Sequence, residues 1–171
     1  MSDSNTQSTL SKEQIDSVIA LYSNGQYQEA IDSIKLLNES YPNVPFLFNL
    51  IGACYKSLGQ LKAAAQMFET AVGIKPDYAE ALKNLGITLD DLGQLDGAVK
   101  CFEKAIIADT NYVDAHYNLA ITLKKLGLLD AAVKSYENVL AINPNFAQAH
   151  NNLGNVFKSL GKNHAAVDCY K

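Results

Sequence analysis

Between residues 79 and 112 the apolar positions fall on two stripes of helical period with a glycine between them. Leu82, Leu85, Gly86 and Leu89 recur at intervals of three and four, Gly93 interrupts, and Ala98, Phe102 and Ala105 take the interval up again. Such spacing gathers apolar residues on one face of a helix. The stretch therefore predicts a helix, a turn, and a second helix folded back on the first.

Shifted by 34 residues, the same pattern returns without an insertion. Forward it gives His116, Leu119, Ala120, Leu123, Gly127, Ala132, Tyr136, Val139 and Pro144, then His150, Leu153, Gly154, Phe157, Gly161, Ala166 and Tyr170. Backward it gives Phe48, Ile51, Gly52, Tyr55, Gly59, Ala64, Phe68, Ala71 and Pro76, and more weakly Leu21, Gly25, Ala30, Ile34, Leu37 and Pro42. A period of this length with alternating small and large apolar residues closely resembles the tetratricopeptide repeat (TPR). The resemblance implies an all-α, right-handed TPR solenoid of antiparallel helix pairs, about four and a half 34-residue repeats long. The expected organisation is a disordered polar tail over residues 1–10 and a single array over 11–171. Its units would be 11–44, 45–78, 79–112, 113–146 and a partial 147–171.

Each recurring position has a packing reason. Gly52, Gly86, Ala120 and Gly154 on the first helices, with Ala64, Ala98, Ala132 and Ala166 on the second, allow close backbone approach. Phe68, Phe102, Tyr136 and Tyr170 fill the space toward the neighbouring unit. Gly59, Gly93, Gly127 and Gly161 fall just past the first helix, where a left-handed cap costs glycine little. Ser11 with Gln14 predicts a capping box; Asp77 with Glu80, and Asn145 with Gln148, carry the same spacing. The first unit has Gln14, Ser17 and Val18 where large and small apolar residues would sit, as expected of a terminal cap. Asn163 stands where the other second helices begin with Tyr27, Leu61, Leu95 and Leu129.

Composition narrows the function. The chain of 171 residues carries 14 basic against 18 acidic residues, a formal charge of −4, and every basic residue is a lysine. That gives no electrostatic footprint for phosphate backbones, so nucleic acid is not an expected partner. No apolar run is long enough to span a bilayer and the start does not resemble a signal peptide, so no membrane insertion is expected and the cytoplasm is the default compartment. Tryptophan and arginine are absent, leaving the nine tyrosines as candidate anchors. Cys54, Cys101 and Cys169 are expected to be reduced.

Candidate chemistry is sparse. His116 and His150 occupy the place of Phe48 and Leu82, which points to packing, since a zinc site needs three or four convergent ligands. The Gly-Lys of residues 161–162 lacks the spacing of a phosphate loop and a following Ser or Thr. No catalytic residue, metal or cofactor is expected. The informative positions are Asn84, Asn118 and Asn152, one per repeat on the first helix. In tetratricopeptide arrays those helices line the concave surface, which implies a ladder of amides offering donors and acceptors to an extended peptide backbone. The ladder is similar to that of the superhelix in O-linked N-acetylglucosamine transferases; solvated filler is the alternative reading. Lys83, Tyr117, Asn151 and Asn155 stand beside it, with Asn49 one residue before the matching Leu50. The expected function is a protein–protein interaction module with a peptide-binding groove. The alternatives are a scaffold that self-associates through an open C-terminal end, and the substrate-docking arm of a larger, truncated multidomain transferase.

Overall fold

A computed structural model describes residues 10–170 of the chain. Every regular element among them is a helix, in the order α1 (Lys12–Ser23), α2 (Tyr27–Ser40), α3 (Pro45–Ser57), α4 (Leu61–Ile74), α5 (Ala79–Asp91), α6 (Leu95–Ala108), α7 (Val113–Lys125), α8 (Leu129–Ile142), α9 (Ala147–Ser159) and α10 (Asn163–Cys169). Odd and even helices are the first and second helices of the expected repeats. The chain divides into two compact units, Met1–Pro76 with α1–α4 and Asp77–Lys171 with α5–α10. The division falls at the junction between the second and third repeats.

The turn inside each hairpin is set by one glycine. Gly25, Gly59, Gly93, Gly127 and Gly161 all have φ between 73° and 77°, a left-handed conformation that side chains with a Cβ resist. The backbone then closes a six-to-one bond: Gln94 N donates to Leu89 O at 2.8 Å and Gln60 N to Tyr55 O at 2.9 Å. These are Schellman caps, which satisfy carbonyls that the helix end leaves unpaired.

The second device is glycine against an aromatic ring within one hairpin. A Cβ built on Gly86 would lie 2.5 Å from the Phe102 ring, and one on Gly52 would lie 2.6 Å from Phe68. Phe68 and Phe102 are each 1% exposed. The rings therefore seal the hairpin they belong to, rather than only reaching toward the next unit. Gly154 meets Tyr170 in the same way.

In the first unit the core gathers Val18, Ala30, Ile31, Ile34, Leu47, Leu50, Ile51 and Cys54. The Ser11–Gln14 capping box is formed in both directions, with Ser11 N donating to Gln14 Oε1 at 2.9 Å and Gln14 N to Ser11 Oγ at 3.2 Å. Leu10, assigned to the tail from sequence, packs against this core; the rest of that tail lies outside the described residues. Asn49, a candidate groove residue, is 4% exposed on α3.

In the second unit α5 packs on α6 and on α7, α7 on α8, and α8 on α9. The expected capping boxes are not formed here. The N-caps of α5 and α9 are Tyr78 and Phe146, without a side-chain bond, because both helices start later than the proline-linked spacing suggests. In the turns before α7 and α9 a different polar residue, the C-cap of the preceding helix, bonds the backbone. Asp109 Oδ1 accepts from Asn111 N at 3.0 Å, and Asn143 Oδ1 from Asn145 N at 3.3 Å.

Candidate functional site

The site is built from α5, α7 and α9 of the second unit. Asn84, Asn118 and Asn152 stand at the same place on each, and all three are half-buried. Their local bonds differ. Asn118 Nδ2 donates to Asp114 O at 2.7 Å, one turn back on its own helix. Asn152 Nδ2 donates across the repeat junction to the Tyr117 hydroxyl at 2.9 Å. At Asn84 the backbone carbonyl, not the side chain, accepts from the Thr88 hydroxyl at 2.7 Å.

Tyr117 is a clamped ring. It meets Tyr136 edge-on with centroids 5.9 Å apart and Phe146 at 5.1 Å, geometries that aromatic quadrupoles favour. Burial, with Tyr117 adding to it and a bond to Asn152 partly offsetting it, pushes the Tyr136 phenol up to about 12. Asn152 is thus tied to the aromatic cluster that joins α7, α8 and α9.

The junction between α5 and α7 is closed by charge. Asp90 accepts from the Thr122 hydroxyl at 3.0 Å through one carboxylate oxygen and from Lys125 Nζ through the other. Thr122 is 1% exposed, so its hydroxyl depends on that carboxylate. Lys83 Nζ lies 5.9 Å from the Tyr112 ring centre, within cation–π range. Burial first, then the nearby Asp114, Glu80 and Asp109 carboxylates and the Tyr78 phenol, push the Tyr112 phenol up to about 12.

The remaining candidates fall in different settings. Asn151 is exposed on α9. The Asn155 side-chain oxygen accepts from the Tyr170 hydroxyl at 2.9 Å, which joins α9 to the end of α10. Asn49 belongs to the first unit and is buried there. Sequence reasoning missed Asp90, Thr122 and Tyr136 as partners of the groove residues. The signal was present in the register, since Asp90 and Lys125 sit one repeat plus one residue apart with opposite charge.

The histidines act on loops. His116 Nε2 faces the Thr110 carbonyl at 3.1 Å and His150 Nε2 the Pro144 carbonyl at 2.8 Å, each six residues back, so each imidazole ties down the turn before its helix. Among the described residues no group of three or more His, Cys, Asp or Glu converges as metal ligands would, and no helix is long and apolar enough to cross a membrane. Cys54, Cys101 and Cys169 form no disulfide among the described residues, and burial pushes Cys54 up to about 11.

Comparison with known proteins agrees with the fold. The TPR repeat family matches residues 89–127 and 123–161, and the tetratricopeptide repeat matches residues 47–78. Anaphase-promoting complex subunit 3 of Dictyostelium discoideum is 34% identical over 65 residues, 38% of this chain and only 7% of that protein. Among solved structures, MamA superposes with a TM-score of 0.84 at 25% identity, over 90% of both chains. YrrB, a TPR protein with an unusual peptide-binding site, superposes at 0.78 with 21% identity, over 96% of this chain and 84% of its own. With the repeat matched over more than half of its length, this chain belongs to the tetratricopeptide-repeat family.

Proposed function

We propose that the face formed by α5, α7 and α9 binds an extended segment of a protein partner, and that the chain serves as an interaction module without catalysis of its own. The observation that carries the reading is the recurrence of a half-buried asparagine at 84, 118 and 152 on consecutive first helices. An asparagine side chain offers two donor hydrogens and an acceptor. One internal bond, such as that of Asn118 to Asp114 O, holds the amide in place without exhausting it. Mid-helix asparagine is also less favourable than alanine by several tenths of a kcal/mol, a cost that recurs three times in register. Tyr117 stands beside Asn152 as a rigid aromatic wall, with Lys83, Asn151 and Asn155 as flanking polar groups. The likeness of fold to YrrB supports the reading. Asn49 contributes nothing to it, because it is buried in the other unit.

The test is binding to an array of random-sequence dodecapeptides by the parent chain and by Asn84→Ala/Asn118→Ala/Asn152→Ala. Each lost hydrogen bond is worth about 0.5–1.5 kcal/mol, so the triple variant should bind at least about tenfold more weakly. Unaltered affinity for the same peptides would reduce the three asparagines to filler.

A second reading rests on the far end of the unit. Val167 and Tyr170 are 53% and 49% exposed there, and Pro144, Ala147, His150 and Asp168 line a cleft of about 450 Å³ beside them. Self-association through this face would appear as mass rising above 18.6 kDa with concentration in light scattering. A docking role within a larger transferase or assembly is compatible with either surface.

A further inference from the structure

The charges on α5, α7 and α9 are not spread evenly. Asp90 on α5 is neutralised within the fold, held by Thr122 and Lys125 of the next first helix. One repeat later the same position is Lys124, and the residues in register with Thr122 and Lys125 are Val156 and Ser159. Neither can hold an ammonium as a carboxylate would. Lys124 is exposed and is in no ion pair among the described residues. Lys158, the same position on α9, is also exposed and unpaired in that sense. The fifth first helix supplies no counter-charge, because Ala147–Ser159 contains neither Asp nor Glu. Asp90 is held by Lys125, and the exposed Asp114 stands in the first turn of α7, about 15 Å of helix away from Lys124.

We infer that the stretch of groove over α7 and α9 selects an acidic segment, with Lys124 and Lys158 as its specificity-determining residues beside the amides of Asn118 and Asn152. The inference rests on the groove reading above and deepens it by naming the chemistry of the bound segment. Two ammonium groups one repeat apart match carboxylates spaced along an extended chain, while the column of amides beside them carries the backbone. The charge of the whole chain works the other way. At a formal −4 it repels an acidic ligand at long range, so a preference for acid reports the local pair and not the net field.

The experiment uses three dodecapeptides carrying the same dye: alternating Ser-Glu, alternating Ser-Gln and alternating Ser-Lys. Their affinities for the 171-residue chain are measured by fluorescence anisotropy at low ionic strength and again with added salt. The acidic peptide should bind about tenfold tighter than the neutral one, and the gap should close with salt. Lys124→Gln/Lys158→Gln should bring the acidic peptide down to the neutral level, and Lys124→Glu/Lys158→Glu should turn the preference toward the basic peptide. Both side chains are exposed, so the variants should keep the parent's circular dichroism. Equal binding of the acidic and neutral peptides, or an acid preference that survives the glutamine variant, overturns the inference. If the neutral peptide then still binds and loses affinity on Asn84→Ala/Asn118→Ala/Asn152→Ala, the groove stands without its charge selectivity. Binding of none of the three overturns both.

Discussion

The third and fourth repeats share one scaffold and fill it with different chemistry. In the third, Gly86 faces Phe102, and Asp90 reaches forward to Thr122 and Lys125. In the fourth, Ala120 replaces the glycine, Tyr136 replaces the phenylalanine, and the forward link is made by Tyr117 and Asn152. One junction is closed by a carboxylate, the other by neutral hydrogen bonds over an aromatic cluster. The apolar positions that decide the fold are nearly identical in the two repeats. The polar positions that join them to their neighbours are free to differ, and that freedom is where a partner's chemistry can be written.

The comparison breaks most sharply at Asp90. Asp90→Ala strands the buried Thr122 hydroxyl and unpairs Lys125, a loss of about 2–3 kcal/mol, whereas Lys124→Ala, in register and exposed, should stay within about 0.5 kcal/mol of the parent. Urea unfolding of the two variants side by side measures the contrast; equal midpoints would refute the buried role of Asp90. Next comes the small residue of the first helix. Gly86→Ala drives a methyl to within 2.5 Å of the Phe102 ring. Its overpacking penalty of about 1–3 kcal/mol, less the roughly 1 kcal/mol that alanine gains over glycine in a helix, leaves a net loss of up to about 2 kcal/mol. The fourth repeat carries alanine there already, so Ala120→Gly costs helix propensity and the packing of a buried methyl, and thermal denaturation of the pair should show two losses with different origins.

The asparagines separate by sign. Asn152→Ala removes the bond to Tyr117 across a junction and should destabilise by about 0.5–1.5 kcal/mol. Asn118→Ala removes only a bond to its own helix and replaces a poor helix former by the best one, so it should be neutral or stabilising by up to about 0.5 kcal/mol. Chemical denaturation that found both equally destabilising would place Asn118 in a tertiary contact.

The smallest effect is alkaline. Tyr136 is raised from 10.0 to about 12 in the fold, so the folded state holds its phenolic proton more tightly than the unfolded chain. Stability from this source is complete below pH 10 and lost as pH rises toward about 12. Tyr136→Phe, which copies the third repeat, should flatten part of that decline, leaving the shares due to Tyr112 and Cys54. Tyrosine absorbance titration alongside unfolding curves would show it.

Much of this was legible in the sequence because helix packing and turn geometry are local. The glycine at each hairpin turn and the Ser11–Gln14 box follow from residues within one repeat, whereas the aromatic rings, read as filling the space toward the next unit, close on the small residue of their own hairpin. The boxes read at Asp77 and Asn145 failed for a local reason too: tyrosine and phenylalanine N-caps start those helices one residue later, and in the turn before α9 the side chain that bonds is that of Asn143, to the backbone of Asn145. The Asp90 and Asn152 links were hidden by distance along the chain. Each joins residues 32 to 35 positions apart, visible only once two copies of the repeat are laid against each other. Asn84, Asn118 and Asn152 were legible as a column, but their different bonds were not, because those depend on which neighbour the adjacent repeat offers.

The reach of those links has a kinetic consequence. When the bonds that join one repeat to the next close loops of only 35 residues, the chain entropy lost before each is rewarded is small and nearly the same at every step. A topology with such low contact order is expected to fold quickly for its length. The hairpin held by Gly93 can serve as a nucleus, with α7 and α8 adding to it as the Asp90 link forms.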